Sequence, residues 1–351
     1  MRKFLIKSLI LLLTAGALFF WLRADASVLA GASVLGMDDS SGWLAANSQD
    51  PAPFNLLESA RTGFVRVELP FNEVSPAPGA YVWAYQGDSG YKDYNQLFEK
   101  LERRGIQPVV VLSRGPAFAN HLYPQQPVYR DELLEAWANY LRAAVQQFGS
   151  HVDHWQIGSL INDPAGWGKV VFPGAESPIA APDPALYADM IKIAYSVIKS
   201  GQSTDTVLLG GLALTGDCAF HPIVYLQALA DADVWYAFDA ISMELPMLND
   251  LPESLQLDAC GYTPIQSSGI PMADAIRSVA DFIDQQGAKP VWVHNLGFSA
   301  DLLASKAALR GSLPEVIESD YLTRATAILM AEGGADHVFW RYDPLSSKPG
   351  S

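Results

Sequence analysis

Trp155-Gln156-Ile157-Gly158-Ser159-Leu160-Ile161-Asn162 is the most telling stretch of this chain. It begins inside a short apolar run, residues 152–158, that breaks at a Gly-Ser pair. It then opens into a loop, residues 159–183, rich in Pro and Gly. A helical pattern precedes the run at 131–148, and another follows the loop at 184–199. The same alternation extends in both directions. Strand candidates lie at 32–36, 63–68 and 107–113 upstream, and at 206–212, 237–243, 290–294 and 337–341 downstream. Further helical patterns fall at 94–104, 222–230, 272–286 and 320–332, and Gly105, Gly287 and Gly333 punctuate the returns to strand. Eight strands that are nearly continuous in apolar character, alternating with amphipathic helices, predict a parallel sheet covered by helices. A doubly wound sheet would place Gly-x-Gly-x-x-Gly after its first strand, and no such turn occurs. The expected fold is therefore α/β, a (β/α)8 TIM barrel, in which the loops after the strands carry the chemistry. Two of these loops, 159–183 and 245–269, are long enough to wall a cleft. Only ten residues follow Arg341, too few for a full eighth helix. The groove between the last and first strands is then expected to be covered by the segment 44–57, by the N-terminal helix or by a protein partner.

The chain has 351 residues, half of them hydrophobic, which is ample for one barrel. Arg2, Lys3 and Lys7 precede the apolar run Ser8 to Leu22, followed by Ala24-Asp25-Ala26, a small-x-small cleavage pattern. Residues 1–26 are thus expected to be a signal peptide or an N-terminal membrane anchor through residues 4–22, with 27–351 forming the barrel. The run is short for a span of about 20 residues, which favours cleavage. Either outcome places the barrel outside the cytoplasm: secreted, periplasmic or held at the outer face of the membrane. The formal charge of −15 becomes more negative once the basic N-terminus is removed, which argues against nucleic acid and anionic lipid headgroups. Cys218 and Cys260 fall on loops after the fifth and sixth strands and could pair in an oxidising compartment, or stand as unrelated thiols. No Cys-x-x-Cys or His-x-x-x-His spacing occurs, so neither a metal nor a cofactor is expected.

The run 155–162 resembles the Trp-x-Ile-x-Asn-Glu-x-Asn signature that ends the fourth strand of clan A glycoside hydrolases. Pro290-Val291-Trp292-Val293-His294-Asn295-Leu296-Gly297 is similar to their seventh-strand motif Pro-Val-Trp-Val-Thr-Glu-x-Gly. The resemblance extends to Phe64-Val65-Arg66-Val67, to Pro78-Gly79-Ala80-Tyr81-Val82-Trp83, to 109–116, to Phe238-Asp239-Ala240-Ile241-Ser242-Met243-Glu244 and to Trp340. It implies that Leu160 and Asn295 stand where the family keeps its acid/base and nucleophile. It also implies that Ser159 replaces the Asn that touches the sugar 2-hydroxyl, and that Glu244 and Pro246 replace the usual His and Tyr. Arg66 inherits the place under the nucleophile, or else pairs with a neighbouring acid such as Glu68.

Retaining glycosidases need two carboxyl groups about 5 Å apart. Leucine can neither donate nor accept a proton, and an asparagine amide is a poor nucleophile. Loss of the general acid alone costs about 10²–10⁴ in rate. Catalysis by the family mechanism is therefore not expected. Among the other acids at strand ends (Glu68, Asp163, Asp217, Glu244, Asp343), Glu244 and Asp163 are the best substitutes for a relocated pair. Binding asks less, because sugars stack on aromatic rings and hydrogen-bond through their edges. Trp167 and Trp340 are the expected platforms, with Trp83 and Phe118 weaker. Arg66, Ser159, Asn162, Glu244, His294 and Asn295 are the candidate polar contacts, and Trp155 and Trp292 are assigned to the core. The reading that follows is an exported, non-catalytic glycoside-hydrolase-like barrel that binds a poly- or oligosaccharide. The alternatives are an active glycosidase using Glu244 and Asp163, and a scaffold in envelope polysaccharide assembly.

Overall fold

The computed structural model describes residues 35–39, 41–87, 90–112, 129–168, 182–214, 221–253, 256–257 and 270–341. Its centre is a closed barrel of eight parallel strands: β1 (Leu35–Asp39), β2 (Phe64–Leu69), β3 (Gln107–Leu112), β4 (His154–Ile157), β5 (Thr206–Ala213), β6 (Ala240–Glu244), β7 (Val291–Leu296) and β8 (His337–Arg341). Each strand pairs with its sequence neighbours, and β8 closes on β1 through Gly36↔Phe339 and Asp38↔Arg341. The main helices are α1 (Ala52–Ser59), α2 (Tyr94–Glu102), α3 (Arg130–Phe148), α4 (Pro184–Gly201), α5 (Pro222–Asp231), α6 (Met272–Gly287), α7 (Ala300–Arg310) and α8 (Pro314–Ala331). Both α7 and α8 lie between β7 and β8, so α8 is not the helix that would follow the last strand.

Local chemistry sets several helix boundaries. Asp93 accepts from the Gln96 N–H and Asp183 from those of Ala185 and Leu186, with Pro184 at the first helical position. Ser299 starts α7, and Gly311, at φ 60°, ends it in the left-handed conformation that glycine adopts without strain.

The barrel interior is filled rather than open. Alternate residues point inward. Phe64, Val109, Leu208, Ala240, Trp292 and Phe339 form a cluster separate from the larger layer between strands and helices. The Trp292 and His337 rings lie 4.2 Å apart, Phe64 meets His154 edge-on at 5.5 Å, and His294 sits 4.5 Å from Phe339. A side chain at Gly36 would place its Cβ 2.3 Å from the Phe339 ring, so glycine is what admits that ring. Burial holds all three imidazoles in the neutral form. The His154 pKa falls to about 4, that of His294 falls well below the usual value with Arg66 and His337 adding to the effect, and that of His337 is lowered.

Seven strands fall within three residues of their predicted bounds, and β8 coincides with them. The first differs most. It occupies 35–39 rather than 32–36, because its inward positions are Gly36 and Asp38, whose partners across the sheet are Phe64 and Arg66. The sequence expectation missed α7 and began α8 six residues late. Segment 44–57 lies in the first crossover, between β1 and β2. Leu44, Ala45, Phe54 and Leu57 are buried there, and Lys100 and Arg104 from the end of α2 reach the Phe54 ring. Residues 342–351, on which the expected lack of a full eighth helix bears, lie outside the described residues, as do 1–34.

Candidate functional site

The mouth of the barrel is organised by Arg66, in the middle of β2 and 1 % exposed. Its Nη1 donates to both Asp38 oxygens at 3.1 Å. Its Nη2 donates to Glu244 Oε1 at 2.9 Å and to Ser159 Oγ at 3.4 Å, and its Nε to Gln156 Oε1 at 3.0 Å. Ser159 in turn donates to the same Glu244 oxygen at 2.7 Å, and Gln156 anchors its own amide on the Gly158 carbonyl. Side chains from β1, β2, β4 and β6 are thereby tied together across the barrel. Burial works against the guanidinium's charge, but Asp38, Glu244 and Glu68 outweigh it and raise its pKa further. The Asp38 carboxyl is pushed up by burial and pulled back by Arg66. Beside it, burial raises Asp39 to about 7, although Asp39 accepts from the Trp43 and Leu44 N–H groups and from the Ser41 hydroxyl.

Glycine makes room for this network. A Cβ at Gly211 would lie 1.9 Å from Glu244 Oε1 and 2.7 Å from Glu244 Cγ, so Glu244 folds into space that a side chain on β5 would take. Gly210 is equally confined, 2.2 Å from the Ile157 carbonyl.

Leu160 and Asn295, which the sequence resemblance sets against the two glutamates, share a backbone feature. Leu160 has φ 52° and Asn295 φ 69°, both left-handed. Asparagine tolerates this region, whereas leucine there is strained by about 1–2 kcal/mol. At Asn295 the left-handed residue coincides with a register shift of β7 against β8 between Val293 and Leu296. Its Nδ2 donates to the Leu245 carbonyl at 3.2 Å, and its buried Oδ1 has no hydrogen-bond partner among the described residues. At Leu160 the chain turns back, so that the Ile161 N–H reaches the Gly211 carbonyl and the Asp163 N–H reaches the Leu160 carbonyl. Gly166 packs against it, since a Cβ there would lie 2.4 Å from Leu160 Cβ.

The remaining expected contacts separate into those at the mouth and those engaged elsewhere. Arg66, Ser159 and Glu244 come together, with His294 beside them on β7, opposite Glu244 in the sheet. His294 is fully buried, and neither of its ring nitrogens has a hydrogen-bond partner among the described residues. Asn162 instead clamps the loop after β4 to β5. It donates to the Ala213 carbonyl at 2.9 Å and accepts from the Ala213 N–H at 2.7 Å, so its amide is not offered to a ligand. Trp167 closes a helical turn, Pro164–Trp167, and is 1 % exposed within the main core; it plugs the wall rather than forming a platform. Trp340 points away from the barrel axis, because Phe339 takes the inward position, and its Nε1 donates to Thr326 Oγ1 of α8 at 2.8 Å. Trp83 packs edge-on to Phe148 and stacks with Tyr81. Asp163 is half-buried at the start of the Pro164–Trp167 turn. Glu68 is half-buried on β2, and Arg66 takes Asp38 and Glu244 as its ion-pair partners in place of Glu68. Trp155 and Trp292 are buried, in the outer layer and the barrel interior respectively. Asp217, Asp343, Phe118, Cys218 and Cys260 lie outside the described residues.

Asp38 and Gln156 are site residues the sequence reading missed, and for Asp38 the cause is plain. The misplaced first strand concealed it; a strand ending at Asp39 would have put an inward carboxylate opposite Arg66. Among the described residues no group of three His, Cys, Asp or Glu could hold a metal.

No protein family matches the sequence, and no curated protein does. Solved structures do. A family 39 glycoside hydrolase from Bacteroides cellulosilyticus matches with 19% identity and a TM-score of 0.59 over 88% of this chain, which spans 56% of that protein's length. A psychrophilic family 10 endo-β-1,4-xylanase matches with 13% identity and a TM-score of 0.58, covering 90% of this chain and 88% of that one. The family 1 β-glucosidase from Thermotoga maritima matches with 12% identity and a TM-score of 0.52, covering 88% of both chains. The chain is thus a closed (β/α)8 barrel, similar in fold to these glycoside hydrolases. At these identities the likeness concerns the fold.

Proposed function

We propose that this chain is an exported, glycoside-hydrolase-like barrel that binds a poly- or oligosaccharide without hydrolysing it. One observation carries the reading. The positions matched to the acid/base and nucleophile hold Leu160 and Asn295, while the carboxylate nearest in the sheet, Glu244, is spent on Arg66 and Ser159. Hydrolysis with retention needs one carboxyl that gives a proton and another that attacks, placed about 5 Å apart across the bond. Asp38 and Glu244 share a single guanidinium instead, and the Glu244 oxygen facing it accepts two hydrogen bonds. The carbohydrate reading draws support from the barrel's likeness to enzymes described as xylanase and β-glucosidase. The left-handed backbone at Leu160 and Asn295, strained at Leu160, also supports a working mouth, since such strain clusters at functional sites. Export rests on Arg2, Lys3 and Lys7 ahead of the apolar run Ser8 to Leu22. Purified protein incubated with a mixed panel of polysaccharides and oligosaccharides tests the proposal. Saturable affinity for a panel member with no product by mass spectrometry is expected; cleavage would move attention to Glu244 and Asp163.

A further inference from the structure

The hydrogen bonds of the barrel mouth leave its donors spent and its acceptors in surplus. Every nitrogen of the Arg66 guanidinium is engaged, and the Ser159 proton goes to Glu244. Both bonds to Glu244 fall on Oε1, so its Oε2 accepts none among the described residues. At 6 % exposure Glu244 is also the member of the Arg66 network that most nearly reaches solvent. Its side chain leans over Gly211 of β5, while the His294 ring lies against Phe339 of β8. Leu245 holds the ends of β6 and β7 together between them: its N–H donates to the His294 carbonyl at 3.1 Å, and its own carbonyl accepts from Asn295. At this seam two further acceptors are unspent among the described residues, Asn295 Oδ1 and the unprotonated nitrogen of the neutral His294 ring. A buried acceptor without a donor costs free energy until something donates to it.

Charge points the same way. Asp38 and Glu244 share one guanidinium, and Glu68 adds a third carboxyl group beside it. Arg341, opposite Asp38 on β8, is exposed to solvent and offsets little of this. A surplus of negative charge in a buried network is stabilised by a cation that enters from outside. A sugar hydroxyl brings one donor and no charge, whereas an ammonium brings three donors and a full charge. We infer that the mouth takes the free amine of an amino sugar, with the ammonium on Glu244 Oε2 and its other donors directed to Asn295 Oδ1 and His294. The inference rests on the carbohydrate reading above and names the class of sugar. An N-acetylated sugar offers one N–H and no charge, and a uronate would meet carboxylates, so both are disfavoured.

Calorimetric titration of the full-length chain in mild detergent at low salt tests this. The probes are hexosamine tetramers of α and β linkage, each as the free amine and as the N-acetyl form, glucose tetramers of the same linkages, and tetralysine. A free-amine tetramer is expected to bind about tenfold or more tightly than its N-acetyl and glucose counterparts, the worth of one charge-assisted hydrogen bond. E244Q removes the charge and should abolish that preference; nonspecific attraction of a polycation to so acidic a chain would survive the change. H294L should reduce the preference by about threefold or more. Because the His294 side chain gives up no hydrogen bond among the described residues, H294L keeps the test open should E244Q fail to fold. Neutral or N-acetylated tetramers that bind as tightly as the amine would overturn the inference and leave the carbohydrate reading standing, whereas no binding by any sugar would overturn both. Tetralysine binding as tightly as the amino sugar would assign the ammonium to a protein partner and overturn it, and so would a preference that E244Q and H294L both leave unchanged.

Discussion

Replacing Glu244 by glutamine removes a charge from the barrel mouth while keeping the side chain's shape. Arg66 is 1 % exposed and Glu244 6 %, so neither can turn to water in compensation. Breaking a buried ion pair by deleting one partner costs about 3–5 kcal/mol when the other charge is left alone. Arg66 keeps Asp38 at 3.1 Å, and a glutamine oxygen can still accept from Arg66 and Ser159. The loss is therefore reduced to about 2 kcal/mol, close to that of a charge-assisted hydrogen bond. For a chain of this size, at about 2.1 cal/mol/K of unfolding entropy per residue, that corresponds to a fall of about 3 °C in thermal midpoint. G211A attacks the same contact from the other side, since its new Cβ would lie 1.9 Å from Glu244 Oε1 and force the carboxylate out of the network. Urea unfolding of wild type, E244Q, G211A and the double variant forms a cycle. The variants should cost similar amounts singly, and the double should cost well under their sum. Additivity within about 0.5 kcal/mol would refute the reasoning, because it would mean that Gly211 is needed for something other than housing Glu244.

Three further outcomes follow from individual side chains. N162A should destabilise by about 2 kcal/mol in urea unfolding, because both backbone groups of Ala213 lose a buried partner; a change under about 0.5 kcal/mol would show that the clamp is not made. His154 stays neutral in the folded barrel with a pKa near 4, so its contribution is fully present above the unfolded value of 6.5 and is lost as pH falls toward 4. Between pH 7 and 4 wild type should therefore lose about 2–3 kcal/mol more than H154F, and parallel stability curves would contradict the burial argument. Asp39 has the opposite sign: raised from 3.8 to about 7, it contributes most at low pH and loses that contribution as pH rises through 7. The stability advantage of wild type over D39N should shrink from pH 4 to pH 8; an advantage that grows over that range would show that the helix-start hydrogen bonds outweigh desolvation.

Period and punctuation made the barrel legible. Continuous apolar runs such as 107–112 and 206–213, short and bounded by turn residues, fit strands buried on both faces, and Pro or Gly marked most boundaries. The first strand was misplaced because Ala-Ser-Val-Leu is as apolar as the true strand, whose last two residues are acidic. Composition favours the former, while the partners Phe64 and Arg66 impose the latter. Helix α7 was missed because its apolar face is thin, with only Leu303 and Ala307 buried. At the site, Arg66, Ser159 and Glu244 were legible as positions, but their mutual bonding was not, since it depends on Gly211 leaving space on a neighbouring strand. The partners of Trp167, Asn162 and Trp340 were not legible for a common reason: residue type announces what a side chain can do, whereas the fold sets which groups it meets (the core, Ala213 and Thr326).

Product release is the most direct test of the central claim. The purified protein would be incubated with the polysaccharide and oligosaccharide panel, products followed by mass spectrometry, and affinity measured on the same substrates. The account predicts saturable binding and no cleavage, at a sensitivity several orders of magnitude below ordinary glycosidase rates of about 1–10³ s⁻¹. Saturable, protein-dependent cleavage that E244Q abolishes would contradict it, and would identify the Arg66–Glu244 pair as a relocated catalytic centre.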